Sequence, residues 1–171
     1  MDIALRDLSK LAPLAVALGV VGIALALMLQ RQMALGTWLF AAFLLGHGLV
    51  HVMFAAPPPA SPDTPGAEFA FDPGRSWLVT SRLLDLGLIK VVVVLLVVAV
   101  VAGYSLTALA TVGLLVPTSW WSGLLIASTT ASLALMVIGL APGLALGIAI
   151  DVVLLWVAVS TAWSPTTAGA I

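Results

Sequence analysis

Residues 83–103 read LLDLGLIKVVVVLLVVAVVAG, a long apolar stretch that indicates the fold class of the chain. Its length matches the roughly 20 residues that a helix needs to cross the hydrocarbon core of a bilayer. Valine is also common in strands, but a strand on its own in lipid would leave its backbone N–H and C=O groups without partners. The stretch therefore predicts a transmembrane helix.

The composition of the whole chain points to the same class of protein. Of the 171 residues, 63% are hydrophobic and 8% are charged, and the mean hydropathy is +1.25. Soluble domains carry about a quarter charged residues, so this chain has too few charges to cover a water-exposed surface. We expect a single membrane domain over residues 1–171, an all-α polytopic transmembrane helix bundle whose main partner is the lipid bilayer.

Further apolar runs bring the expected number of spans to about five. They are separated by charged, proline-rich or glycine-containing breaks. The predicted spans are residues 11–30, 37–56, 83–103, 119–140 and 143–163. Residues 57–82 form a polar loop rich in Pro and Gly. Residues 104–117 are too short to cross alone, so the sequence leaves open whether they are interfacial, extend a helix or belong to a span.

The basic residues favour one orientation of this five-span topology. One side holds four of them: Arg6, Lys10, Arg75 and Arg82. The other side holds Arg31. Because cytoplasmic segments carry the excess of Lys and Arg, we expect a cytoplasmic N-terminus.

Five ionisable side chains fall inside the predicted spans, where a charge near the bilayer centre costs at least about 2.5–3.5 kcal/mol. They are His47, His51, Asp85, Lys90 and Asp151. With a rise of about 1.5 Å per residue, His47, Lys90 and Asp151 lie about 11–14 Å from the same membrane surface. The sequence therefore predicts an intramembrane polar layer built by three helices, with His51 and Asp85 closer to that surface.

Small residues indicate the faces on which these helices pack. The glycines concerned are Gly46 and Gly48 beside the histidines, and Gly143 and Gly147 before the aspartate. Gly143, Gly147 and Asp151 are spaced four apart and share one helix face, and Gly-x-x-x-Gly allows a second helix to approach closely. We therefore expect Asp151 to face the bundle. Four hydroxyl residues of the fourth span can form hydrogen bonds across a helix interface: Ser128, Thr129, Thr130 and Ser132.

The polar layer has several explanations. The first is structural: Asp151 pairs with Lys90 or His47, because buried ionic groups need partners. Intramembrane Asp, His and Lys also mark ion and proton pathways. The spacing of His47 and His51 matches that of zinc ligands, whereas haem would need an axial histidine beside a roomy apolar cavity. No GxSxG-type turn supports an enzyme nucleophile, so we predict no catalytic residue, no cofactor and no metal, with His47 and His51 as the candidates if a metal binds.

Two stretches carry a resemblance to other proteins: GHGLVHVMFAA at residues 46–56 and LGIAIDVVLLWVAV at residues 146–159. Together they resemble a group of small bacterial multi-pass membrane proteins with HGLxH on the second helix and GxxIDxxLL on the last. The residues on the pattern of the group are His47, Gly48, His51, Gly147 and Asp151. The resemblance implies a location in the bacterial inner membrane. The group has no established activity, so the resemblance carries over no catalytic role.

Cysteine content and charge exclude several functions. The chain has no cysteine, which excludes disulfides and thiolate metal sites, and its net charge of −1 argues against a nucleic-acid partner. The sequence predicts a small membrane protein with a structural or accessory role, alone, as a homo-oligomer or in a larger membrane complex. The alternatives are an ion- or proton-coupled transporter or channel that uses His47, Lys90 and Asp151, and a metal- or haem-binding protein that uses His47 and His51.

Overall fold

The computed structural model describes residues 33–56, 71–139 and 142–160. The predicted first span, residues 11–30, and the first part of the predicted loop, residues 57–70, lie outside these ranges. Within them the regular elements are helices, and the expected all-α fold is confirmed. The α-helices are α1 (Met33–Val50), α2 (Trp77–Thr80), α3 (Leu86–Thr111), α4 (Trp121–Gly139) and α5 (Ala145–Ser160). Short 3-10 turns lie at His51–Ala55, Pro73–Arg75, Thr118–Trp120 and Pro142–Leu144.

Three helical stretches in the described ranges are long and apolar enough to cross a membrane. They are Leu35–Ala55, Leu86–Thr111 and Thr118–Gly139. The first joins α1 to its 3-10 continuation, and the last joins a 3-10 turn to α4. Helix α5 is also apolar, but it has only 16 residues. These helices match the second to fifth predicted spans in order and are compatible with a membrane protein.

Helix α3 is longer than the sequence predicts. The predicted span ends at Gly103, whereas α3 continues to Thr111, so residues 104–111 extend a helix. The helix ends where Gly113 adopts φ +68°, a left-handed conformation that glycine enters without steric cost. The N–H groups of Gly113 and Leu114 donate to carbonyls of the last helical turn at 3.3 and 2.9 Å. This is the Schellman pattern of a helix C-terminus, so residues 104–111 belong to α3 and residues 112–117 connect it to the next 3-10 turn.

Helix α3 packs against both α1 and α4, and α4 packs against α5. The apolar core has two clusters, one around Phe40, Val100 and Trp121 and another around Phe54, Ile89 and Leu135. The ring of His51 lies between them, with its centroid 5.6 Å from that of Phe54 and 6.4 Å from that of Tyr104, a member of the first cluster. The polar side chains of the bundle therefore meet at the junction of the two clusters.

The part of the predicted loop that the structure describes is hydrogen-bonded to the C-terminal end of α4. Ser76 Oγ donates to the carbonyl of Ile138, and Trp77 Nε1 donates to the carbonyl of Val137, each at 2.8 Å. The last carbonyls of a helix have no partner within that helix, so these bonds satisfy two of them. These bonds thus hold the segment before α3 against the C-terminal end of α4.

Candidate functional site

Asp151 on α5 is the centre of a buried polar cluster. The residue is 0% exposed. Its Oδ1 accepts a hydrogen bond from the Tyr104 hydroxyl at 2.7 Å. His47 Nε2 lies 2.8 Å from the same oxygen and donates to it when it carries a proton. One carboxylate oxygen therefore connects α5 to both α1 and α3.

His51 has a fixed orientation beside this centre. Its Nδ1 lies 2.9 Å from the carbonyl of His47, and because a carbonyl can only accept, Nδ1 is the donor. In the neutral ring Nε2 is then the acceptor, and Ser132 Oγ on α4 lies 2.7 Å from it. The imidazole therefore joins the end of α1 to α4.

Tyr104, the only tyrosine of the chain, completes the cluster from α3. It is 0% exposed, and its hydroxyl lies 3.3 Å from Thr129 Oγ1 on α4 as well as 2.7 Å from Asp151. The edge of its ring meets His47, with centroids 5.0 Å apart and planes at 83°. With Tyr104 included, each of α1, α3, α4 and α5 contributes a polar side chain to the cluster.

Close helix packing makes these short distances possible. A Cβ atom on Gly48 would lie 2.7 Å from Cβ of Tyr104, so glycine is what lets α1 approach α3 at this level. A Cβ on Gly103 would lie 2.7 Å from Cβ of Ser128, so this glycine likewise allows α3 and α4 to approach closely. Gly147 faces the flexible end of Met136. No described atom lies within 4 Å of a Cβ built on Gly46, and Gly143 is exposed.

One atom of the cluster has no hydrogen-bond partner among the described residues. Asp151 Oδ2 is buried and accepts no bond from them, although Oδ1 of the same carboxylate has two close neighbours. A buried polar atom without a partner costs about 1–3 kcal/mol, and more when it is charged. Asp151 Oδ2 is therefore a buried acceptor that the described part of the chain does not satisfy.

Two residues of the predicted polar layer lie elsewhere. Asp85 is exposed at the N-terminus of α3, where its Oδ1 accepts from the N–H of Leu88 at 2.9 Å and caps the helix. Lys90 is exposed and precedes Tyr104 by 14 residues, or about 21 Å along a helix. Depths counted from the span ends predicted at one membrane surface place Lys90 beside Asp151, whereas the structure brings a later part of α3 there. Tyr104 takes the position expected for Lys90.

Tyr104 is a member of the cluster that the sequence does not predict, because it lies in residues 104–117, whose place in the bundle the sequence leaves open. A signal for it exists: a tyrosine inside an apolar helix must find a partner for its hydroxyl when it is buried. Of the four hydroxyl residues in the fourth span, Thr129 and Ser132 lie close to Tyr104 and His51 on other helices. Ser128 Oγ instead donates to carbonyls of its own helix, and Thr130 is exposed. The partner of each hydroxyl depends on which helices are neighbours.

We expect Tyr104→Phe to lower the free energy of unfolding by about 1–2 kcal/mol, because Asp151 loses a hydrogen-bond donor while the ring is kept. Thr107→Val is the matched control on the same helix, since its buried hydroxyl donates to the carbonyl of Gly103, within its own helix, at 2.7 Å. Unfolding by sodium dodecyl sulfate in mixed micelles measures both variants. Equal stability of the two variants would show that the Tyr104–Asp151 bond contributes nothing.

The cluster combines a carboxylate, two imidazoles, a phenol and hydroxyls inside an apolar bundle. Such a set can hold helices together, relay a proton or bind a small cation. The comparisons with protein-family models, curated proteins and solved structures found no match for this chain.

Proposed function

We propose that this chain is a small integral membrane protein of the bacterial inner membrane with a cytoplasmic N-terminus and a structural or accessory role. In this proposal the polar cluster holds the helices of the bundle in a single arrangement. The observation that carries it is the 2.8 Å contact between His47 and Asp151, which joins residues 104 positions apart in the sequence. No catalytic activity is assigned to the cluster.

The direct contacts within the cluster support a structural role. Apolar helices in lipid gain no hydrophobic energy by choosing one neighbour or register over another, because lipid tails are as apolar as their own side chains. Hydrogen bonds between helices are worth about 0.6–2 kcal/mol each in this setting, and they form in one register only. Contacts of Asp151 with α1 and α3, and of His51 with α4, therefore select one packing of these helices.

The outward faces of the helices favour lipid or another membrane protein as the partner. Exposed apolar side chains include Leu95 and Val98 on α3 and Trp156 and Val159 on α5, each at least 60% exposed. Lipid tails can cover these faces, and so can a second copy of the chain or a larger membrane complex. The bilayer is the partner that the proposal requires.

The alternative function, an ion- or proton-coupled pathway through His47, Lys90 and Asp151, has less support. Lys90 is exposed and about 21 Å along α3 from Tyr104, so the three groups do not form one layer. Oδ1 of Asp151 and Nε2 of His47 already lie within hydrogen-bond distance of each other. A pathway would have to open this contact during each transport cycle.

Flux measurements in proteoliposomes distinguish these two functions. We expect vesicles with the wild-type protein to pass protons, Na⁺ and K⁺ no faster than empty vesicles, as reported by enclosed fluorescent indicators. Asp151→Asn should change the thermal stability or the oligomeric state in detergent and leave the flux at that same background. A flux that Asp151→Asn abolishes, and that the exposed control Asp85→Asn retains, would overturn the structural proposal in favour of transport.

A further inference from the structure

The unpartnered oxygen of Asp151 lies in a cluster that has the donors of a metal site. His47, His51 and Asp151 each offer one ligand atom, and these atoms all lie within 4.8 Å of one another. Asp151 Oδ2 is fully buried without a hydrogen-bond partner in the described part of the chain. A cation is a natural partner for such an oxygen, because a buried carboxylate must be paired or coordinate a metal.

We propose that His47, His51 and Asp151 form a binding site for one divalent transition-metal ion of the zinc class. This inference goes beyond the structural role and does not depend on it, since an ion here could support the bundle or serve another purpose. Two imidazole nitrogens and a carboxylate oxygen are donors that zinc accepts. Calcium and magnesium prefer six or more oxygen ligands and fit this set poorly.

The surroundings of His51 also have the form found at metal sites. A metal-binding histidine commonly donates its second ring N–H to a carbonyl, which fixes the ring and directs the lone pair of the other nitrogen at the metal. His51 Nδ1 makes this bond to the carbonyl of His47 at 2.9 Å, which leaves Nε2 as the ligand atom. Ser132 Oγ lies 2.7 Å from this nitrogen, and an ion would replace that contact.

Binding requires a small rearrangement of the cluster. Ligands about 2.0–2.1 Å from a tetrahedral zinc ion are about 3.4 Å apart, so the present spacing of up to 4.8 Å must contract. The ion would enter between His47 Nε2 and Asp151, whose direct contact is now 2.8 Å. The Tyr104 hydroxyl, 2.7 Å from Asp151 Oδ1, is placed to supply an oxygen as the fourth ligand.

The same distances argue against haem. A haem needs a flat apolar slot next to the coordinating nitrogen. Nε2 of His47 lies 2.8 Å from Asp151, and Nε2 of His51 lies 2.7 Å from Ser132, so side chains of other helices already contact both nitrogens. A single ion needs these contacts to lengthen slightly, whereas a macrocycle would need the side chains of other helices to move away from the nitrogen altogether.

Metal titration of the purified protein in detergent tests the proposal. After treatment with a chelator, the wild-type protein should bind Zn²⁺ saturably at one ion per chain. Co²⁺ should bind at the same site and give visible ligand-field absorption. We expect Asp151→Asn and His51→Ala each to weaken the affinity by at least about 100-fold, the upper range for loss of a supporting group.

Two further variants serve as controls. Asp85→Asn changes an exposed carboxylate and should leave the affinity unchanged. Ser132→Ala removes the hydroxyl that competes for His51 Nε2, so it should retain or increase the affinity, although it removes a contact between helices. If loss of a helix contact alone weakened metal binding, Ser132→Ala would bind more weakly too. Retained affinity in Ser132→Ala therefore assigns the losses in Asp151→Asn and His51→Ala to the missing ligands.

Absence of saturable binding at one ion per chain by the folded wild-type protein would overturn the proposal, and this result needs no variant. Retention of wild-type affinity in folded His51→Ala would also overturn it. If Asp151→Asn does not fold, His51→Ala is the variant that tests the proposed ligands. The binding measurement is independent of ion flux. Failure of the metal site and failure of the structural role therefore give different results.

Discussion

Asp151→Ala is expected to lower the free energy of unfolding by about 2–4 kcal/mol, because two buried donors lose their shared acceptor and each unpaired donor costs about 1–3 kcal/mol. The donors are His47 Nε2 and the Tyr104 hydroxyl, at 2.8 and 2.7 Å from Asp151 Oδ1. Thr129 Oγ1 lies 3.3 Å from the phenol and can recover part of the second loss. The expected loss of stability is therefore smaller than the full cost of leaving two buried donors unpaired.

Asp85→Ala is the matched control for this substitution. Asp85 is exposed and caps α3 through the N–H of Leu88, so its loss should cost about 1 kcal/mol, as for other helix caps. Unfolding in mixed micelles, followed by the fluorescence of the six tryptophans, compares the two variants. If Asp151→Ala is no less stable than Asp85→Ala, the buried contacts of Asp151 do not hold the bundle together.

A methyl group at position 48 is expected to have the second largest effect. Gly48→Ala would place Cβ 2.7 Å from Cβ of Tyr104, closer than real Cβ atoms approach, so α1 and α3 must separate. Overpacking of this kind costs about 1–3 kcal/mol. It would also move His47 on α1 away from Tyr104 on α3, so at least one of their contacts with Asp151 would lengthen, because both end on the same carboxylate oxygen.

Gly46→Ala gives a control two residues away on the same helix. No described atom lies within 4 Å of a Cβ at this position. Alanine is favoured over glycine inside a helix by about 0.5–1 kcal/mol, so this variant should be as stable as the wild type or more stable. A Gly48→Ala protein with the stability of Gly46→Ala would contradict the close approach of α1 to α3.

The sequence predicts the helices well because length and apolar composition are properties of each segment alone. The sequence leaves the end of α3 open because glycine can end a helix or lie within one, and in the structure Gly103 lies inside the helix and faces Ser128. Glycine has both uses, and only the neighbouring helix distinguishes them. Gly113 is the residue that ends α3, through its positive φ.

The sequence predicts the candidate site only in part, because it determines the faces of each helix but not which helices are neighbours. The spacing of His47 and His51, and of Gly147 and Asp151, gives each pair a common helix face from the sequence alone. Which faces meet depends on the order and offset of the helices, and these are tertiary properties. The depth estimate therefore selected Lys90, while the structure brings Tyr104 to Asp151 at 2.7 Å.

A direct interaction between His47 and Asp151 joins α1 to α5. A double-mutant cycle with His47→Ala, Asp151→Ala and the double variant measures its energy by unfolding in mixed micelles. The structure predicts a coupling energy of about 1–2 kcal/mol, with the double variant less destabilised than the sum of the single variants. Additivity within about 0.3–0.5 kcal/mol, the range seen for independent sites, would contradict the account.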